Sequence, residues 1–205
     1  MKSVPLPRLI DQLRAVGREV GGVFSFGDLC NLIGAGSEIK SAKVITRLVR
    51  LGHLRRVVRG LYVGDEPDLW TLGARLKKDA YVSMDSVMAK NGLVGTIPER
   101  SVSLVYPGRK TTIEIPGGLS IRFYSIQTDL LFGFFTSENG IQVADSEKAY
   151  LDLIYFYTKG ASYVFDALKE VNLAKLDRKK LMTYLKRYKN PKFVKFVKGL
   201  VNEVA

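Results

Sequence analysis

At 205 residues, with 46% hydrophobic and 10% aromatic side chains, the chain suits one large or two small domains, and its composition argues for a folded core and not a disordered chain. Its single cysteine excludes an internal disulfide or a zinc cluster of cysteines, and it suits a reducing cytosol. The net charge of +12 is unevenly placed, at +5 over residues 1–66, −1 over 67–170 and +8 over 171–205, which points to an anionic partner, most commonly nucleic acid.

The first residues, MKSVPLPRLIDQLRAVG, lack the apolar run of a signal peptide, and no run reaches the ~18 apolar residues of a membrane span. A soluble, cytoplasmic protein with no membrane partner is expected. Pro5 and Pro7 lead into a predicted helix through about Val20, with Leu9, Ile10, Leu13 and Val16 as its apolar face, and Gly21-Gly22 ends it. Val23-Phe24 reads as a short strand. Ser25 to Ile33 reads as a short helix with Phe26, Leu29, Cys30 and Ile33 inward, and Cys30 is expected to be a small core residue.

The turn Gly34-Ala35-Gly36 delivers a third helix, capped by Ser37, whose Val44, Ile45, Leu48 and Leu51 recur at the spacing of a buried face. At about 100° per residue, Lys40, Lys43, Arg47 and Arg50 share an arc of about 80° beside that face. After Gly52 the period changes. Leu54, Val57 and Val58 lie among Arg55, Arg56 and Arg59, Gly60 supplies the positive φ of a tight loop, and Leu61-Tyr62-Val63 returns as the second strand of a hairpin. Ile39 falls on the basic side of the third helix, so it packs under this hairpin, touches a thymine methyl, or marks a small error of register.

From Lys40 to Arg59 there are seven bases and no acid. Such a run can be an ordinary solvated face. One shared helical arc joined at once to a basic hairpin instead predicts a winged helix-turn-helix. Lys40, Ser41, Lys43, Arg47 and Arg50 would then meet the major groove or its phosphates, and Arg55, Arg56 and Arg59 a neighbouring backbone or minor groove.

Gly64 to Asp68 reads as a linker, which sets predicted domains at 1–66 and 67–205. Beyond it, helices are expected over Leu69 to Leu76, with the only tryptophan, Trp70, and over Tyr81 to Asn91. Strands are expected over Ser101 to Tyr106, Thr111 to Ile115 and Leu119 to Ser125. Leu131 to Phe135 is a dense apolar run, and Gly140 to Val143 reads as one more strand. Asp145-Ser146 caps a helix through about Thr158, apolar at Ala149, Tyr150, Leu153, Ile154 and Tyr157, and Tyr163 to Val171 continues helically. Arg178 to Tyr188 and a helix from Pro191, with Lys192, Lys195 and Lys198 outward, make a basic helical tail. The predicted class is α+β: an N-terminal winged helix-turn-helix, then an α+β domain with this tail.

The order SFGDLCNLIGAG, VITRLVRLGHLRRVVRGLYV, YVSMDSVMAKNGL and IQVADSEKAYLDLIYF resembles the AbiEi-type antitoxin family over roughly residues 20–160. Its most telling pieces are Arg56, Gly60, Leu61 and Tyr62, then Val143-Ala144, Glu147-Lys148-Ala149 and Leu151-Asp152. The resemblance implies the antitoxin half of a type IV toxin–antitoxin system. Its winged domain would repress its own promoter, and its C-terminal domain would neutralise a nucleotidyltransferase toxin. Separately from the resemblance, the expected DNA partner is that promoter at inverted repeats, bound by a homodimer. No cofactor and no catalytic activity are expected.

Two other classes compete with that reading. A stand-alone transcription regulator would use the second domain to sense a ligand or to dimerise. A metal-dependent nucleic-acid-processing enzyme would use Asp145, Glu147 and Asp152, although Asp145 suits a cap and Lys148–Asp152 is an i, i+4 pair such as exposed helices carry. A nucleotidyltransferase needs paired carboxylates soon after its Gly-Ser turn, and none stands between Glu38 and Asp65. The only histidine, His53, lies between helix and hairpin, which leaves serine or cysteine nucleophiles without a second base.

Overall fold

The structure, a computed structural model, describes residues 5–96 and 98–202. The predicted domain spans also run over residues 1–4, 97 and 203–205, which lie outside the described residues. The chain is α+β and divides into two compact units, 1–72 and 73–205.

The first unit runs α1 (Leu6–Glu19), β1 (Val23–Ser25), α2 (Phe26–Ile33), α3 (Glu38–Arg50), β2 (Arg55–Val58) and β3 (Leu61–Val63). The strands form one antiparallel sheet in the order β1-β3-β2. This order and pairing are compatible with the predicted winged helix. Ser25 caps α2 reciprocally with Asp28, its hydroxyl accepting from the Asp28 N–H while the Asp28 carboxylate accepts from the Ser25 N–H. Leu9, Leu13, Phe24, Leu29, Ile33, Ile45, Leu48 and Leu54 bury one core between the helices and the sheet. Gly60, at φ +81°, closes the β2–β3 loop in a conformation that L side chains rarely adopt.

Several details depart from expectation. Leu51 caps α3 and is 48% exposed instead of buried. Ser37 stands at the N-cap, yet its side chain makes no capping bond. Cys30 is only half-buried. The segment read as a linker is fastened down: the Gly64 N–H donates to the Gly22 carbonyl and the Asp68 N–H to the Gly21 carbonyl. A Cβ at Gly22 would meet the Glu66 carbonyl at 3.0 Å, so the chain passes too close there for any side chain. The division between units accordingly falls after Leu72, within α4 (Leu69–Leu76), and not at residue 66.

The second unit is built on a six-stranded mixed sheet in the order β6-β7-β5-β4-β9-β8. Its strands are β4 (Tyr81–Val82), β5 (Ser101–Tyr106), β6 (Thr111–Ile115), β7 (Leu119–Ser125), β8 (Phe134–Thr136) and β9 (Gln142–Ala144). Its helices are α5 (Met84–Lys90), α6 (Ser146–Tyr157), α7 (Arg178–Leu185) and α8 (Pro191–Asn202). The β6–β7 hairpin is antiparallel, while β5 pairs with β7, and β4 with β9, in parallel. The single helix expected over Tyr81 to Asn91 is therefore two elements. Tyr81 and Val82 are a central strand, Ser83 is extended, and Met84 begins α5 at a left-handed φ of +59°. The helical continuation expected over Tyr163 to Val171 is absent. Asp166 turns the chain there, its carboxylate accepting the Leu168 N–H and its own N–H donating to Glu170. On α6, Tyr157 is exposed and not inward.

Candidate nucleic-acid interface

Ile45 and Leu48 pin α3 to the core and thereby fix which side faces water. Lys40, Lys43, Arg47 and Arg50 are all exposed on the opposite side. None of the four makes an ion pair among the described residues. Thr46, absent from the predicted set, shares the surface, although its hydroxyl donates to the Ala42 carbonyl at 2.8 Å. Ile39 stands in the first turn and is 72% exposed, so it packs under nothing. Glu38, beside it in sequence, lies about 100° away around the helix.

Two of the predicted contact residues are placed otherwise. Ser41 is 2% exposed and faces inward, about 140° around the helix from the middle of the basic arc. Arg55 is half-buried, and its guanidinium donates to the carbonyls of Gly64 at 2.7 Å and Asp65 at 2.9 Å. It holds the chain after β3 and does not reach outward. Arg56 and Arg59 are exposed, with Arg56 Nε donating to the Val58 carbonyl at 3.4 Å within β2, where the strand register shifts. Six exposed bases therefore remain: Lys40, Lys43, Arg47 and Arg50 on the helix, Arg56 and Arg59 on the hairpin.

In the second unit the charge of α6 is turned inward. Lys148 and Asp152, expected on an exposed face, are both 0% exposed and paired to each other. Asp152 also accepts the Tyr81 hydroxyl at 2.9 Å and the Ser83 hydroxyl at 2.8 Å. The Lys148 ammonium lies 4.7 Å from the Phe132 ring centre and within 3.3 Å of the Tyr188 hydroxyl. Burial pushes the Asp152 carboxyl up, against the ammonium and the two hydroxyls that favour its charged form, and burial raises Tyr81 and Tyr188 well above the usual phenol range.

Glu147 and Asp145 share Lys180, at 2.8 and 3.1 Å. Asp145 caps α6 through the Lys148 N–H, and its other oxygen accepts the Tyr184 hydroxyl. Burial opposes the charge on Glu147, but the Lys180 ammonium and the Asp177 N–H outweigh it and hold the carboxyl below its ordinary value. The three acids considered for metal chemistry are thus a cap, an ion-pair partner and a buried counter-ion. Among the described residues no three His, Cys, Asp or Glu side chains gather as a metal site. Part of the tail's charge is also used internally, with Lys189 on Asp129 at 2.8 Å and Arg178 on Asn202 at 2.6 Å. Lys192, Lys195 and Lys198 of α8 stay exposed. No helix among the described residues is long and apolar enough to cross a membrane.

Fold and site together define a two-unit α+β protein with a basic helix-and-hairpin surface on its first unit. No protein-family model matches the chain, and no curated protein does. Among solved structures it is similar to the crystal structure of the RV2827C protein from Mycobacterium tuberculosis. The TM-score is 0.63 at 15% identity, over 97% of this chain and 78% of that one. At that identity the likeness is one of fold.

Proposed function

We propose that this protein is a cytoplasmic, non-catalytic, DNA-binding antitoxin that represses its own operon and neutralises a nucleotidyltransferase toxin. The observation that carries the DNA half is the outward face of α3, where four cations stand exposed and, among the described residues, free of internal partners. Arg56 and Arg59 extend that charge onto the hairpin. The antitoxin half is supported by the resemblance of residues 20–160 to the AbiEi-type family. The absence of catalysis is supported by the commitment of Asp145, Glu147 and Asp152 to structural partners. A homodimer on inverted repeats is proposed because six cations on a short module make a weak grip that a second copy would double.

The test is to co-express the full chain with the nucleotidyltransferase encoded beside it, and to read growth rescue and a promoter reporter together. Wild type should rescue growth and silence the reporter. A Lys43→Glu/Arg47→Glu variant should rescue but not silence. Silencing with no rescue of any neighbouring toxin would contradict the antitoxin half and leave a stand-alone regulator.

A further inference from the structure

We infer that Ile39 is a base-reading residue, selecting thymine through its C5-methyl group at the DNA surface proposed above, on which this inference rests. Ile39 is the second residue of α3, and it is 72% exposed. A single exposed isoleucine is ordinary on a protein surface. Its position is what sets this one apart. Taking 100° per residue, Ile39 falls within about 20° of Arg50 and about 40° of Lys43, on the arc that faces away from Ile45 and Leu48. It is the apolar member of the N-terminal part of a face made of long cations and Thr46; Leu51, the other exposed apolar side chain along it, caps the far end of the helix.

The charge around Ile39 can hold phosphates but carries no sequence information by itself. In the helix-turn-helix arrangement, residues at the N-terminal end of the recognition helix approach base edges, while later turns pass along the backbone. Ile39 stands at that end, and Arg47 and Arg50 stand two to three turns further on. The one apolar group that a base pair shows in the major groove is the thymine methyl, so it is the matching contact for an exposed branched aliphatic side chain. Isoleucine is also a poorer helix former than alanine or lysine at a solvated position, so helix stability does not explain its presence in the first turn.

The experiment uses the full chain, the duplex immediately upstream of its own gene, and a panel in which each thymine in turn is replaced by deoxyuridine. That replacement removes one methyl group and nothing else. Wild type should lose about fourfold in affinity at one position per half-site, the factor that one buried methyl group is worth. Ile39→Ala should bind the unmodified duplex about four- to tenfold more weakly, melt at the wild-type temperature, and show no further loss at that same position. If wild type binds the duplex with steep salt dependence, and Lys43→Glu abolishes binding, but the deoxyuridine profiles of wild type and Ile39→Ala coincide, Ile39 does not read thymine and the DNA surface stands. If wild type binds this duplex and unrelated DNA equally well, Ile39 reads no base and the inference falls while the DNA surface stands; if it binds neither, the DNA surface is overturned and the inference with it.

Discussion

On α3 the side chains of Lys40, Lys43, Arg47 and Arg50 stand in water without an acid among the described residues to answer them. On α6 Lys148 and Asp152 are sealed from water and Glu147 nearly so. Both helices are rich in charge, and an i, i+3 or i, i+4 pattern alone does not separate them. What separates them is the burial of their neighbours. The helix α3 rests on the core along one stripe, Ser41, Ile45 and Leu48 with Val44 and Val49 beside them, and leaves the opposite arc in water. The helix α6 is buried nearly all round, so each of its charges must find a partner or carry an uncompensated desolvation cost. Unanswered cations at a surface are available to an outside anion, whereas a buried pair mainly specifies how elements pack.

That contrast sets out where each helix breaks. The largest effect should come from Lys148→Met, which strands Asp152 among Tyr81, Ser83 and Tyr188. A loss of about 3–5 kcal/mol is expected by urea denaturation, and Lys148→Met/Asp152→Leu should regain most of it. A loss in the single variant no larger than that of a surface substitution would mean that α6 handles its charge as α3 does.

A smaller effect is expected on the acid side. Because the folded carboxyl of Glu147 lies below its ordinary value of 4.5, its contribution is fully present above about pH 4.5 and fades as pH falls through the folded value. Glu147→Gln should therefore flatten the acid limb of the stability profile below about pH 4.5 and leave its slope near neutrality unchanged.

Smallest of the three is Arg55→Ala, which removes the two bonds to the carbonyls of Gly64 and Asp65. It should cost about 1 kcal/mol in stability and leave the salt dependence of DNA binding unchanged, while Arg59→Ala should do the reverse.

The sequence made α3 and the hairpin readable because one-sided burial leaves a period, and charge confined to one arc is visible on it. The strands β5, β6 and β7 were readable through alternation and the Pro116-Gly117-Gly118 turn. It failed where burial is total. Met84 to Ala89 are buried without a break, including Asp85 and Ser86, so nothing in that stretch marks where β4 ends and α5 begins. The boundary is carried by backbone torsion at Ser83 and Met84, which residue type does not announce. Lys148–Asp152 looked like a surface pair because its partners Tyr81, Ser83, Phe132 and Tyr188 are distant in sequence. Ser41 and Arg55 were misplaced for a related reason. Each lies next to true surface bases, and only packing shows that one faces the core and the other ties down the chain after β3.

The most direct measurement of the central claim is a salt titration of DNA binding by the full chain, for wild type and Lys43→Glu/Arg47→Glu. With four to six of the exposed bases on phosphates, log K against log salt should fall with a slope of about −4 to −5 for wild type. The double variant should lose binding by about 100-fold or more, with stability changed by about 0.5 kcal/mol or less because both side chains are solvated. A double variant that keeps wild-type affinity and slope would contradict the account, since the exposed face of α3 would then not be where this protein meets DNA.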